Sequence, residues 1–138
     1  CSSFKQELLG GVHDLDTHTL KLALIKPSPT GSFGAATTNY SELTSSSDEA
    51  SGTNYSAGGQ NLDSASITLS GTTAFVDFAD EVFSNLTITA AGALIYNSSA
   101  SNKAIAVFSF GSNVASTAGD FTVIFPTADA SNAVIRIA

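Results

Sequence analysis

Apolar and polar residues follow strand periodicity most strongly between Leu86 and Phe125. There L-T-I-T, A-L-I-Y-N, K-A-I-A-V-F-S-F-G and G-D-F-T-V-I-F-P are separated by short runs of turn residues. A period of two predicts strands, and Ser98–Asn102 predicts a hairpin joining 93–97 to 103–110. Upstream, 19–25 alternates with Leu20, Leu22 and Leu24 on one face, and Pro27 and Pro29 end it. Ala65, Ile67 and Leu69 share a face, Ser70-Gly71 turns the chain, and Ala74, Val76 and Phe78 share the next. Residues 86–89, with Thr87 and Thr89 outward, 121–125 and 133–137 complete about eight strands. That spacing predicts an all-β fold, an antiparallel sandwich or barrel, as one domain over residues 1–138. One helix precedes it, over 3–12. Ser3 and Gln6 form a capping box, Phe4, Leu8 and Val12 form an apolar stripe, and Gly10-Gly11 is the stop.

The central strands are apolar on both sides. Alternation puts Ile105 and Val107 on one face and Ala104, Ala106, Phe108 and Phe110 on the other. An antiparallel strand between core and water is polar on one side, so these strands need cover on both. The helix, residues 28–63 or another subunit can supply it. Phe108→Ala is expected to cost about 3–5 kcal/mol, as deletion of a core aromatic does. Residues 28–63 lose periodicity and include the run S-S-S-D-E, with Phe33, Tyr40, Leu43 and Tyr55 as isolated anchors. This segment is disordered alone, or an arm ordered by a partner, or forms a brief element at 39–43 while the rest packs over the sheet.

Composition narrows the setting. Hydrophobic residues are 43% of the chain, including nine Phe and no Trp or Met, which suffices for a core. Charged residues are only 12%, so Ser, Thr, Asn and Gly must cover the surface. The net charge is −7, with Arg136 as the single arginine, which speaks against nucleic acid and anionic membranes as partners. No apolar run reaches the ~18 residues of a membrane-spanning helix. The chain opens on Cys1 with no basic-then-apolar leader, the mark of a processed or trimmed terminus: an excised initiator Met, or a lipidated cysteine. One Cys cannot form an internal disulfide, leaving an inert thiol or an intermolecular bridge.

Candidate chemistry is sparse. His13, Asp14, Asp16 and His18 have the donor types of a zinc-like site, but Asp-x-Asp in a polar segment more readily makes a turn. Asp77, Asp80 and Glu81 have the donor type for calcium without a dense ligand spacing. There is no G-x-S-x-G, no phosphate-binding G-x-x-x-x-G-K, no H-E-x-x-H and no C-x-x-C. The four N-x-[ST] triplets are what a chain this rich in Ser and Thr contains by chance. No catalytic residue, metal or cofactor is expected.

Several segments together resemble a family of small structural proteins of tailed bacteriophages and prophages. They are F-K-Q-E-L-L-G-G-V-H-D-L-D-T-H-T-L-K-L-A-L (4–24), N-Y-S-A-G-G-Q (54–60), T-A-F-V-D-F-A-D (73–80), A-L-I-Y-N (93–97), F-S-F-G (108–111) and G-D-F-T-V-I-F-P (119–126). The resemblance spans nearly the whole chain and is most specific at its start. It implies a virion component with an antiparallel β-sandwich, jelly-roll-like fold, a head decoration or cement protein. Such a protein binds the outer capsid surface and clamps neighbouring major capsid subunits, as a homotrimer at local three-fold positions. Phe4, Leu8 and Val12 of the helix and Phe33, Tyr40 and Tyr55 of the long loop are the expected partner contacts. The alternative is a tail- or fibre-associated adhesion module for a host surface glycan.

Overall fold

The computed structural model describes every residue from Cys1 to Ala138. Regular structure is mostly strand, in two antiparallel sheets. The chain runs α1 (Ser2–Leu9), β1 (Leu20–Ile25), α2 (Ser41–Ser45), β2 (Gln60–Asn61), β3 (Ser66–Ser70), β4 (Thr73–Asp77) and β5 (Glu81–Asn97). A 3-10 turn (Ser98–Ala100), β6 (Lys103–Val123) and β7 (Ile135–Ile137) follow. The larger sheet has the order β2-β1-β5-β6 and the smaller one β3-β4-β7. The fold is the all-β, sandwich-like one that the periodicity predicts.

Seven strands form, not about eight. The segments expected at 86–89 and 93–97 are one long strand, β5, and those at 103–110 and 121–125 are joined in β6. The breaks in periodicity that separate them in sequence are register shifts within one continuous hairpin. The added strand is β2, two polar residues paired with Lys21 and Leu22, which no hydrophobic pattern marks.

A bulge also changes the expected facing of β6. Ile95 pairs with Ala106, yet Tyr96 pairs with Ala104, so Ile105 is an extra residue. One extra residue reverses the inside–outside parity of the strand beyond it. Ile105 therefore joins the main core, against which Ala106, Phe108 and Phe110 pack, while Ala104 and Val107 belong to a second cluster on the other face. This corrects the simple alternation. Phe108 is half-buried and lines an open cleft with Pro29, Phe33 and Val107, so its truncation costs less than a core aromatic does. The fully enclosed aromatic is Phe83, 1% exposed.

The main core lies between the sheets and takes in Leu20, Leu22 and Leu24 of β1, Val76 and Phe78, and Phe83, Leu86 and Phe121. Helix α1 packs on β6 and sends Phe4 into this core. It starts one residue earlier than expected and has no capping box. Cys1 is the cap residue without a side-chain bond, Ser3 Oγ has no partner, and the free backbone donor of Ser2 is met by Ala35 O at 2.7 Å. Gly10-Gly11 ends the helix, Gly11 taking φ +70°, so Val12 lies beyond it and not on its stripe.

The chain covers the second face of the larger sheet itself. Segment 28–63 is ordered, with α2 near the predicted 39–43 element, and Leu43 fully buried against Ala23, Ile25, Leu94 and Tyr96. Tyr40 stacks on Tyr96 with ring centroids 4.5 Å apart. Glu49 brackets the loop to the sheet. It accepts from Tyr40 Oη at 2.5 Å, Tyr55 Oη at 2.9 Å and the Gly58 N–H at 2.6 Å, while Leu24 N–H donates to Tyr55 Oη. Burial first, and the Glu49 carboxylate after it, raises all three phenols, that of Tyr96 to about 12. They stay protonated donors at any physiological pH. No outside subunit is required to explain why these strands are apolar on both sides.

Asp48 anchors the other end of the loop. Burial alone would raise its carboxyl, but Lys26 Nζ at 2.8 Å and the N–H groups of Thr30 and Gly31 outweigh that and hold it well below the usual carboxylate range. A depressed carboxyl contributes stability above its unfolded pKa that disappears as the pH falls through its folded value. Glu81 is raised by burial and then by Asp63, so its contribution has the opposite sign and fades as the pH rises. The melting temperature is thus expected to peak in mild acid and to drop below about pH 4. A midpoint level down to pH 2 would remove Asp48 as an acid-sensitive anchor.

Candidate functional site

Both histidines singled out for chemistry, and the carboxylates of Asp14 and Asp80, are engaged within the fold. His13 is buried, and its Nδ1 faces the Asn97 amide nitrogen at 3.1 Å; His18 Nδ1 faces the same nitrogen at 3.0 Å. Asn97 is fully buried and gives one amide hydrogen to each imidazole, so His13 must carry its proton on Nε2, which donates to Glu7 Oε2 at 3.0 Å. Burial works against the Glu7 charge, but Lys103 and His13 more than offset it and keep its carboxyl low. A histidine oriented by a carboxylate is half of a relay, but both ring nitrogens of His13 are occupied and neither meets solvent. Asp14 makes the expected turn, accepting from the N–H groups of Asp16 and Thr17 and from Thr17 Oγ1. Asp80 accepts from the Phe125 N–H, Asp77 lies in β4 opposite Ser66, and Glu81 is buried. No group of three or more His, Cys, Asp or Glu side chains converges as a metal shell.

Outside the fold there remains aliphatic surface at one end. The smaller sheet turns Ile67, Val76 and Ile135 to one face in one cross-strand row, and Leu69, Ala74 and Ile137 in the next. The first row runs onto the main core at Val76, 5% exposed, while Ile67 at the sheet edge is 55% exposed. The second overhangs it, leaving Leu69 71% and Ile137 55% exposed. Helix α1 adds Leu9, 90% exposed, one residue past Leu8, which packs on the core. Between α1 and β7 lies an open cleft of about 500 Å³ walled by Phe4, Leu8, Ile105, Val134, Ile135 and Ile137. A second cleft, about 360 Å³, continues past Leu8 and Ile135 to Leu15, Ile67 and Val76. The two share Leu8, Ile135 and Ile137, so the apolar surface is continuous from the helix across β7 to β3. A contiguous aliphatic surface of this kind on a single chain marks a contact site more often than chance exposure does.

The residues expected at a partner contact are distributed unevenly about this surface. Phe4 is inside the core, edge-on to His13 at 5.1 Å, and Leu8 forms the floor between the clefts. Val12 is 37% exposed in the turn after α1. Phe33 lines the separate cleft beside Phe108, and Tyr40 and Tyr55 are bound to Glu49. Leu9, Leu69 and Ile137 are the exposed members that sequence reasoning missed. Ile67 and Leu69 carry an alternating signal, but alternation does not say which face overhangs the core. No family model, curated protein or solved structure matches this chain.

Proposed function

We propose that this chain is a capsid decoration protein of a tailed bacteriophage, docking its aliphatic end on the outer face of the head and holding neighbouring major capsid subunits together. The observation that carries the reading is the continuous apolar surface of Leu9, Ile67, Leu69 and Ile137 around the two clefts, on a chain whose surface is otherwise mostly Ser, Thr, Asn and Gly, with Val82, Val114 and Ile124 the other large aliphatic side chains exposed outside this end. The segments that resemble phage structural proteins point the same way, and an acidic chain with one arginine suits a shell's exterior better than its DNA-facing side. Sugar-binding clefts favour flat aromatic platforms, whereas this surface is aliphatic and the three tyrosines hydrogen-bond within the fold. That favours a protein partner over a host glycan.

Deleting residues 1–12 is a poor test, because it would pull Phe4 out of the core. Leu9→Lys combined with Leu69→Lys changes only exposed side chains, and surface changes of this kind alter stability by about 0.5 kcal/mol or less. Co-sedimentation with purified heads is expected to fall at least about tenfold for the pair, with an unchanged melt. Undiminished co-sedimentation of the variant, or absence of wild-type binding, would sink the reading.

A further inference from the structure

The second sheet ends on an unguarded edge. Strand β3 pairs with β4 in unbroken register from Ser66–Asp77 to Ser70–Thr73, and no backbone bond joins it to anything else. Residues 65–72 contain no charge and no proline. Folded proteins ordinarily protect such an edge with lysine, proline, a bulge or extreme shortness. The other edges have such protection: β2 is two residues long, β7 is three, and β6 is broken by register shifts.

We infer that β3 pairs antiparallel with β3 of a second copy of this chain, about a two-fold axis at Thr68. The sequence of the strand argues for this occupant: S-I-T-L-S reads nearly the same in both directions. Two-fold pairing sets Ser66 against Ser70, Ile67 against Leu69 and Thr68 against Thr68 of the second copy. The backbone phase agrees. A two-residue turn, Gly71-Thr72, makes Ser70–Thr73 a hydrogen-bonded pair, so Ser66, Thr68 and Ser70 point their peptide groups into the sheet. Ile67 and Leu69 therefore present theirs outward. Each forms a hydrogen-bonded pair with the other residue of the second copy, and the two threonines meet at the close, non-bonded position, where Thr–Thr pairs are favourable. In a chain of net charge −7, two neutral edges approach without juxtaposing like charges. The result is one sheet of twice three strands, whose Ile67, Leu69, Ala74 and Ile137 face is doubled. The choice of partner for that doubled face rests on the docking reading above; the pairing itself does not.

Sedimentation velocity of the full chain, without heads, is expected to show a concentration-dependent dimer. Thr68→Lys sets two ammonium groups against each other and is expected to weaken the dimer about fivefold or more. Ile67→Pro removes one outward N–H per copy and is expected to weaken it about tenfold. Mixing Thr68→Lys with Thr68→Glu should restore association, which a folding defect would not allow. Thr68 lies on the opposite face of the sheet from Leu69, and Leu9 belongs to α1, so Leu9→Lys should spare the dimer while weakening head binding. A wild-type monomer, a trimer, or a Thr68→Lys dimer as tight as wild type would each overturn the inference.

Discussion

Gly59→Ala is expected to leave the chain without a stable fold at room temperature. Gly59 has φ +69°, a conformation that costs a side-chain-bearing residue about 1–3 kcal/mol. The greater cost is steric. A Cβ at this position would lie 1.8 Å from Leu22 O and 2.8 Å from Ala23 Cα, both backbone atoms of β1. Strand β1 is paired with β5 along its whole length and cannot retreat. Segment 58–61 must lift instead, which breaks the β1–β2 pairing and removes Gly58 from Glu49 and from the Tyr96 hydroxyl. The sum exceeds about 4 kcal/mol, close to the whole stability of a small domain. Gly71→Ala is the control: its φ is +61°, but nothing lies within 4 Å of the added carbon, so only the conformational cost applies. Equal melting temperatures for the two variants would refute the close packing of Gly59 on β1.

Phe83→Ala is expected to cost about 3–5 kcal/mol, lowering the melting temperature by roughly 10 °C or more. Phe83 is 1% exposed, packs on Tyr55 at 5.8 Å and meets Phe121 edge-on at 6.5 Å. It therefore ties the loop, β5 and β6 together, and its removal leaves a cavity that these elements cannot close without losing their pairing. Phe108→Ala, at a half-buried site open to a cleft, is expected to cost about 1–2 kcal/mol, because solvent can fill the space. The order of the two midpoints decides the matter. If Phe108→Ala melts first, the bulge at Ile105 has been assigned to the wrong place.

The bulge shows how far periodicity can be read. Alternation located the hairpin across residues 98–102 and the inward face of β1, because a single-sided pattern survives where the ladder is regular. It failed at Ile105, because one extra residue inverts facing without leaving a mark in composition. It also missed β2, whose Gln60-Asn61 is held by pairing and by Gly59, not by apolar contacts. The exposed aliphatic surface was half legible. Phe4 and Leu8 were read as one stripe, yet the structure buries the first, sets the second between two clefts, and leaves Leu9 outside.

The amino-acid sequence by itself determined the strand-rich class, the helix stop at Gly10-Gly11, the turn at Asp14 and the sparsely charged, acidic surface. Each arises from local periodicity, backbone preference or charge. Only the tertiary structure decided how the two apolar faces of the central strands are covered. Leu43, Tyr40 and Tyr55 reach the sheet because Glu49 and Asp48, unremarkable in a Ser-rich run, collect donors from segments distant in sequence. The same holds for the free aliphatic end: Leu9, Leu69 and Ile137 come from the two ends and the middle of the chain, and their exposure depends on where the smaller sheet stops covering the core.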